Sequence, residues 1–214
     1  MEAVFKKNNK IDLGYLELNI KGEILRNLSM EKLIQEGLIN KETRMSMNGA
    51  VMVDTGIFTG RSPKDKYIVE EDSTKDDIWW GEVNQKLDEE IFDELFDLIK
   101  DFYNSDSSKT YIFDGYGGDD KDHQLPIRII AKKSWQAHFA NNMFVRPHKN
   151  DLENFNPEFT IINASDISNS EYINHKMNSE TFIVFNLKKK VAIIGGTEYA
   201  GEMKKGIFSV LHYL

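Results

Sequence analysis

Leu87, Ile91, Leu95, Leu98, Ile99 and Phe102 recur at helical spacing between Asp88 and Tyr103, so the chain must bury one side of a long amphipathic helix. Asp88 stands where an N-cap is needed, and Glu89 and Glu90 suit the positive end of the helix dipole. Around this helix the apolar residues fall in short runs: Ala50–Val53, Tyr67–Val69, Tyr111–Phe113, Ile127–Ala131, Phe159–Ile162, Thr181–Leu187 and Val191–Ile194. Each has the length of a strand. Two shorter helices are predicted. Ser29 would cap one that buries Met30, Leu33 and Ile34 and stops at Gly37. Ser134 would cap another that buries Trp135, Phe139 and Met143 and closes at Arg146-Pro147. Gly115–Asp122 reads as a polar turn and Lys188–Lys190 as a solvated hairpin tip. Strands interleaved with helices predict an α/β domain, a mixed β-sheet with flanking helices. The order of the strands stays open.

Composition narrows the function. The chain has 214 residues, 40% hydrophobic and 29% charged, which suits one folded domain over residues 1–214. A formal net charge of -8 argues against a general nucleic-acid binder or a basic membrane-surface protein. No stretch approaches the roughly 20 apolar residues of a membrane span, and Met1–Lys10 is polar, without the apolar core of a signal peptide. Cysteine is absent, which removes disulfides, thiolate metal sites and thiol catalysis. A soluble, cytoplasmic protein is expected, with neither nucleic acid nor membrane as partner.

Two segments could carry chemistry. Thr55–Lys66 (TGIFTGRSPKDK) follows a strand, and its glycines let the backbone turn sharply or approach a ligand closely. Arg61, between Gly60 and Ser62, has little bulk beside it. Its guanidinium could hold a carboxylate by two parallel hydrogen bonds. Gly195–Gly206 follows the strand Val191–Ile194, and strand ends followed by glycine loops are where α/β sheets bind ligands. Gly201 and Gly206 have the spacing of a phosphate loop. Ile207 and Phe208 stand where lysine and serine or threonine are required, so it is not one. Lys204 and Lys205 are adjacent and must diverge on any regular element. His123, His138, His148, His175 and His212 show no pair at the helical metal-site spacing and read as structural. Trp79 and Trp80 read as core packing.

Six segments occur in order: Thr55–Lys66, Trp79–Asn84 (WWGEVN), Leu125–Arg128 (LPIR), Trp135–Ala137 (WQA), Asn142–Pro147 (NMFVRP) and Gly196–Gly206 (GTEYAGEMKKG). From about Asn27 onward the chain closely resembles the N-terminal domain of ATP-dependent phosphoenolpyruvate carboxykinase. The resemblance implies a lyase and kinase reaction of gluconeogenesis. Oxaloacetate is decarboxylated, and the resulting enolate takes the γ-phosphoryl group of ATP to give phosphoenolpyruvate, CO2 and ADP. Mn2+ is expected at the reacting centre and Mg2+ with the ATP. Matched residue by residue, Arg61 is the catalytic arginine that grips the substrate carboxylate near the CO2 site. Tyr199 lines the substrate pocket. Lys205 is the catalytic lysine that touches substrate and ligates manganese, as a neutral amine favoured by burial and by the neighbouring cation. Lys204 is the weaker candidate, for a supporting role.

The family pattern continues into a nucleotide-binding domain with a P-loop, a histidine and an aspartate as further metal ligands, and a second substrate arginine. All are expected after Leu214, so His212 is not that histidine. The chain is therefore expected to be the substrate-binding N-terminal part, inactive alone, with the C-terminal domain of its own chain as a partner. Phe208, Val210, Leu211 and Leu214 are candidates for apolar surface packed on that domain. The competing reading is a standalone, non-catalytic dicarboxylate-binding domain. A GTP-using relative is a further alternative, although the Arg61–Asp65 and Tyr199–Gly206 segments resemble the ATP type.

Overall fold

Phe182, Ile183, Val184 and Phe185 form an unbroken apolar run, as do Val191, Ala192, Ile193 and Ile194. Strands of this kind need cover on both faces. The computed structural model, which describes residues 11–214, provides it. Met1–Lys10, read above as a polar N-terminus, lie outside the described residues. In chain order the strands are β1 (Ile24–Arg26), β2 (Thr43–Met45), β3 (Val51–Val53), β4 (Lys66–Val69), β5 (Gln85–Leu87), β6 (Thr110–Gly117), β7 (Leu125–Ala131), β8 (Phe159–Ala164), β9 (Phe182–Asn186) and β10 (Val191–Gly195). The helices are α1 (Met30–Ile39), α2 (Glu89–Ser105), α3 (Ser134–Met143) and α4 (Gly201–Tyr213).

Eight strands make one mixed sheet in the order β1-β6-β7-β8-β10-β9-β4-β5, and β2 and β3 pair separately. Strands β7, β8 and β10 run parallel, while β9 and β4 run the other way. The sheet edge where β10 ends at Gly195 is therefore also where β9 and β4 begin. Along β9 and β10, Phe182, Val184, Val191 and Ile193 face the layer formed by α2 and Leu13, Leu16 and Leu18. Ile183, Phe185, Ala192 and Ile194 face the layer formed by α3 and α4. Each fully buried apolar side chain in these layers contributes roughly 1.5–3 kcal/mol. Across β1, β6 and β7 the buried Asp114 carboxylate accepts from Arg128 at 2.7 and 2.9 Å and pairs with Arg26 at 2.6 Å. Arg128 of the LPIR segment is thus part of the sheet's internal polar network.

The expected α/β class with a mixed sheet and flanking helices is what forms, but several local expectations change. Gly37 does not end α1. The helix runs on to Ile39, and a Cβ at Gly37 would lie 2.8 Å from the Thr43 hydroxyl, so this glycine serves close packing. The buried side of α2 is Phe92, Leu95, Ile99 and Tyr103, and Leu98 is 40% exposed. The expected stripe was rotated because Phe92 and Tyr103 went uncounted. Asp88 makes no side-chain capping bond. Ser134 is the first residue of α3 rather than its cap. The cap comes from Glu42, which accepts both the Ser134 amide and its hydroxyl at 2.8 Å. Met143 is 42% exposed, and α3 ends there, ahead of Arg146-Pro147. β6 reaches Gly117, into the expected polar turn. The lysine tip lies at the surface but is ion-paired, Lys188 with Glu71 and Lys189 with Glu89 and Asp93. Trp79 is 91% exposed, against the core reading, while Trp80 is half-buried and donates to the Lys75 carbonyl at 2.9 Å. Val210 is buried in the α4 layer, whereas Phe208 and Leu214 are exposed.

Candidate functional site

The Arg61 loop is built from short polar bonds. The Thr55 hydroxyl donates to the Phe58 carbonyl at 2.7 Å, and Pro63 starts a single 3-10 turn, Pro63–Asp65. The buried Asp65 is its hub. One carboxylate oxygen accepts from the Ser62 hydroxyl. The other accepts from Asn178 Nδ2 at 2.8 Å and from Ser179 Oγ at 2.9 Å. These bonds pin the loop beside the segment that leads into β9.

The second segment is less of a loop than its glycines suggest. Only Gly196–Ala200 lies between β10 and α4. Gly196 has φ of +70°, and a Cβ there would lie 2.9 Å from the Thr181 backbone, so glycine is required for the chain to turn off the sheet. Gly206 lies within α4, packed toward the Phe185 ring. Met203, Ile207 and Val210 bury one side of α4 on the sheet. Lys205, Phe208, Ser209 and His212 share the opposite side, at spacings of three, four and seven residues. Lys204 is exposed and points elsewhere.

Loop and helix meet at a cavity of about 290 Å³ lined by Arg61, Lys66, Asn84, Phe185, Glu202, Lys205, Phe208 and His212 among others. It lies between α4 and the face of the sheet that carries Ile183 and Phe185 of β9, and Lys66 at the start of β4 lines it too. Arg61 and Lys205, expected to act together, both line it. Tyr199 does not; its ring lies against Gly201, beside the turn into α4. Lys205 Nζ sits 4.4 Å from the centre of the Phe208 ring. An adjoining cavity of about 380 Å³ shares Lys66 and His212 and adds the exposed Trp79 and Tyr213.

Two residues of the first cavity escaped the sequence reading. Lys66 donates to Asn84 Oδ1 at 2.9 Å and to Ser209 Oγ at 3.4 Å. Burial pushes its amine below the usual lysine range, and the Arg61 and Lys205 charges push it further, against a smaller opposing pull from Glu202. Glu202 accepts the Ser62 amide at 2.6 Å. Burial raises its carboxyl above the ordinary value, partly countered by that bond and by Arg61. The spacing held a signal for Glu202, which precedes Lys205 by three residues and so shares its helix side. It held none for Lys66, whose place depends on strand order.

A family model described as phosphoenolpyruvate carboxykinase matches residues 22–214. The chain belongs to that family. It is 53% identical over 201 residues to the phosphoenolpyruvate carboxykinase (ATP) of Leptospira biflexa, with 94% of this chain and 38% of the relative covered. The proteins of the same name from Sulfurimonas denitrificans and Campylobacter lari are 43% and 44% identical over 205 and 201 residues. These alignments cover 96% and 94% of this chain, and the chain spans 38% of the length of each relative. A phosphoenolpyruvate carboxykinase match over nearly all of the described fold places Arg61 and Lys205 within family sequence. Among the described residues, no helix is long and apolar enough to cross a membrane.

Proposed function

We propose that this chain supplies the dicarboxylate-binding half of an ATP-dependent phosphoenolpyruvate carboxykinase, acting on oxaloacetate in the cytoplasm as a step of gluconeogenesis. The observation that carries the reading is the convergence of Arg61, Lys66 and Lys205 on one cavity between β9 and α4. A dianion entering there meets more positive than negative charge in a partly desolvated setting, where such attraction is strongest. The Arg61 guanidinium can take one carboxylate by paired hydrogen bonds. Lys205, held above Phe208, stands ready to oppose the negative charge that develops when the other carboxylate leaves as CO2. Tyr199 lies outside the lining of this cavity, on the neighbouring turn, and its proposed contact with substrate rests on the family match.

Manganese, magnesium and ATP belong to the proposal as the groups that would complete the reaction. A metal supplies charge stabilisation at an enolate oxygen. Among the described residues no three His, Cys, Asp or Glu side chains cluster as a ligand set. Lys205 would offer one nitrogen only as the neutral amine, in place of the cation described above, and the Glu202 oxygen nearest the loop is engaged by Ser62. The described residues do not form a metal site on their own, and no step is assigned to a metal. Nor does a G-x-x-x-x-G-K-S/T loop occur in the chain, so its share of the chemistry is the grip on the carboxylate. The partners assigned to it are oxaloacetate, phosphoenolpyruvate, CO2 and a nucleotide-binding domain.

Calorimetric titration with oxalate tests the reading. Oxalate should bind, and Arg61→Ala should weaken it about tenfold or more, as expected for loss of a charge-assisted pair. Binding that survives the substitution intact would remove Arg61 from the site.

A further inference from the structure

Glu202 is a buried carboxylate, 5% exposed, that the proposed chemistry does not use. It accepts the Ser62 amide at 2.6 Å. Ser62 directly follows Arg61, and Glu202 lies on the helix turn before Lys205. One bond therefore joins the loop that carries Arg61 to the helix that carries Lys205. The Asp65 bonds fasten the loop elsewhere, to Asn178 and Ser179 ahead of β9. They fix its base beside the segment that leads into β9; Lys66 at the loop's end reaches Ser209 of α4 at 3.4 Å, and beside Arg61 itself the bond to α4 is that of Glu202. Among the described residues lining the cavity Glu202 is the one acid, amid Arg61, Lys66 and Lys205. Its charge opposes an entering anion, an effect separate from the bond it makes to the loop.

We propose that Glu202 is a positioning residue: its carboxylate latches the Ser62 amide and so holds Arg61 and Lys205 toward one anion-binding cavity. The proposal rests on the reading of that cavity as a dicarboxylate site. It touches no reacting atom. Its effect is to hold the distance between two cations that must engage the same ligand.

Glu202→Gln and Glu202→Ala remove the same charge, but only glutamine keeps an acceptor for the Ser62 amide. The test compares them on the whole 214-residue chain, by oxalate titration and by hydrogen exchange at Ser62. Glu202→Ala should weaken oxalate about tenfold and speed Ser62 exchange by a similar factor, as a lost hydrogen bond does. Glu202→Gln should leave exchange slow and bind oxalate at least as tightly as the wild type, because a negative charge facing the anion is gone. Equal affinities in the two variants would reduce Glu202 to a charge effect and overturn the positioning role. Should Glu202→Ala not fold, Glu202→Met fills the same stem without an acceptor and takes its place. If the wild type binds no oxalate, the dicarboxylate reading falls. The latch is judged separately: Ser62 exchange as fast in the wild type as in Glu202→Ala overturns it, and exchange that is slow in the wild type and in Glu202→Gln but fast in Glu202→Ala supports it.

Discussion

Arg61 and Lys205 reach the same cavity on supports of opposite kinds. Arg61 rides an exposed loop whose shape is set by hydrogen bonds to Asp65 and Glu202. Lys205 rides a helix whose far side buries Met203, Ile207 and Val210 on the sheet. The helix is fixed by apolar area, which is non-directional and shared with the whole layer. The loop is fixed by a few directional bonds, each of which can be lost alone. Damage to the helix should therefore appear as lost stability, and damage to the loop chiefly as lost binding.

The largest effect should come from the helix side. Ile207→Ala empties a fully buried position and should cost about 2–5 kcal/mol in urea unfolding. A loss below the cost of an ordinary surface change would show that α4 is held some other way. Next comes the loop hub. Asp65→Ala deprives the Ser62 and Ser179 hydroxyls and the Asn178 amide of their acceptor, and should cost about 1–3 kcal/mol while weakening oxalate binding. If it costs as much as Ile207→Ala, the contrast between the two supports fails. Arg61→Ala should leave stability within about 0.5 kcal/mol while it weakens oxalate binding about tenfold or more, which separates the residue from its scaffold.

The smallest effect concerns Lys66, where loop and helix meet. Its amine is held below the lysine reference of 10.5, so over the alkaline range below that value the unfolded chain binds the extra proton. Stability should rise with pH across that window, and the penalty for burying a charged amine is fully present below it. Lys66→Met should abolish this rise relative to the wild type in parallel unfolding series. The difference between the two proteins is the quantity to read, because Tyr67 and Tyr111, both raised by burial, make stability fall with pH in an overlapping range. Identical slopes would mean that the cavity leaves Lys66 no more costly to charge than in the unfolded chain.

Much of the fold was legible in short-range pattern. The strands of the sheet centre announced themselves as apolar runs, and α2 by its period. What failed was detail that depends on neighbours. Ser134 is a good capping residue by type, yet Glu42 caps it, because α1 and α3 pack together and bring that carboxylate within reach. Gly37 resembles a helix stop, yet it is a contact point against Thr43. Trp79 should be buried by its chemistry, yet it stands in the open at the rim of a cavity.

The candidate site divides the same way. Arg61 and the Lys204-Lys205 pair stand out by local pattern, a glycine-flanked arginine and a strand followed by a glycine turn, whereas Tyr199 and the choice of Lys205 over Lys204 come from the resemblance to the carboxykinase family. The sequence by itself also determined the α/β class, because the period of hydrophobicity follows from helix and strand geometry alone. Tertiary structure alone decided that Arg61 and Lys205 share a cavity that Tyr199 does not line, that Lys66 lies between them, and that Glu202 spans the gap. Those facts depend on β4 lying beside β9 and on α4 packing over the face that carries Ile183 and Phe185. No local spacing encodes such a pairing, because it arises from burying both faces of the sheet at once.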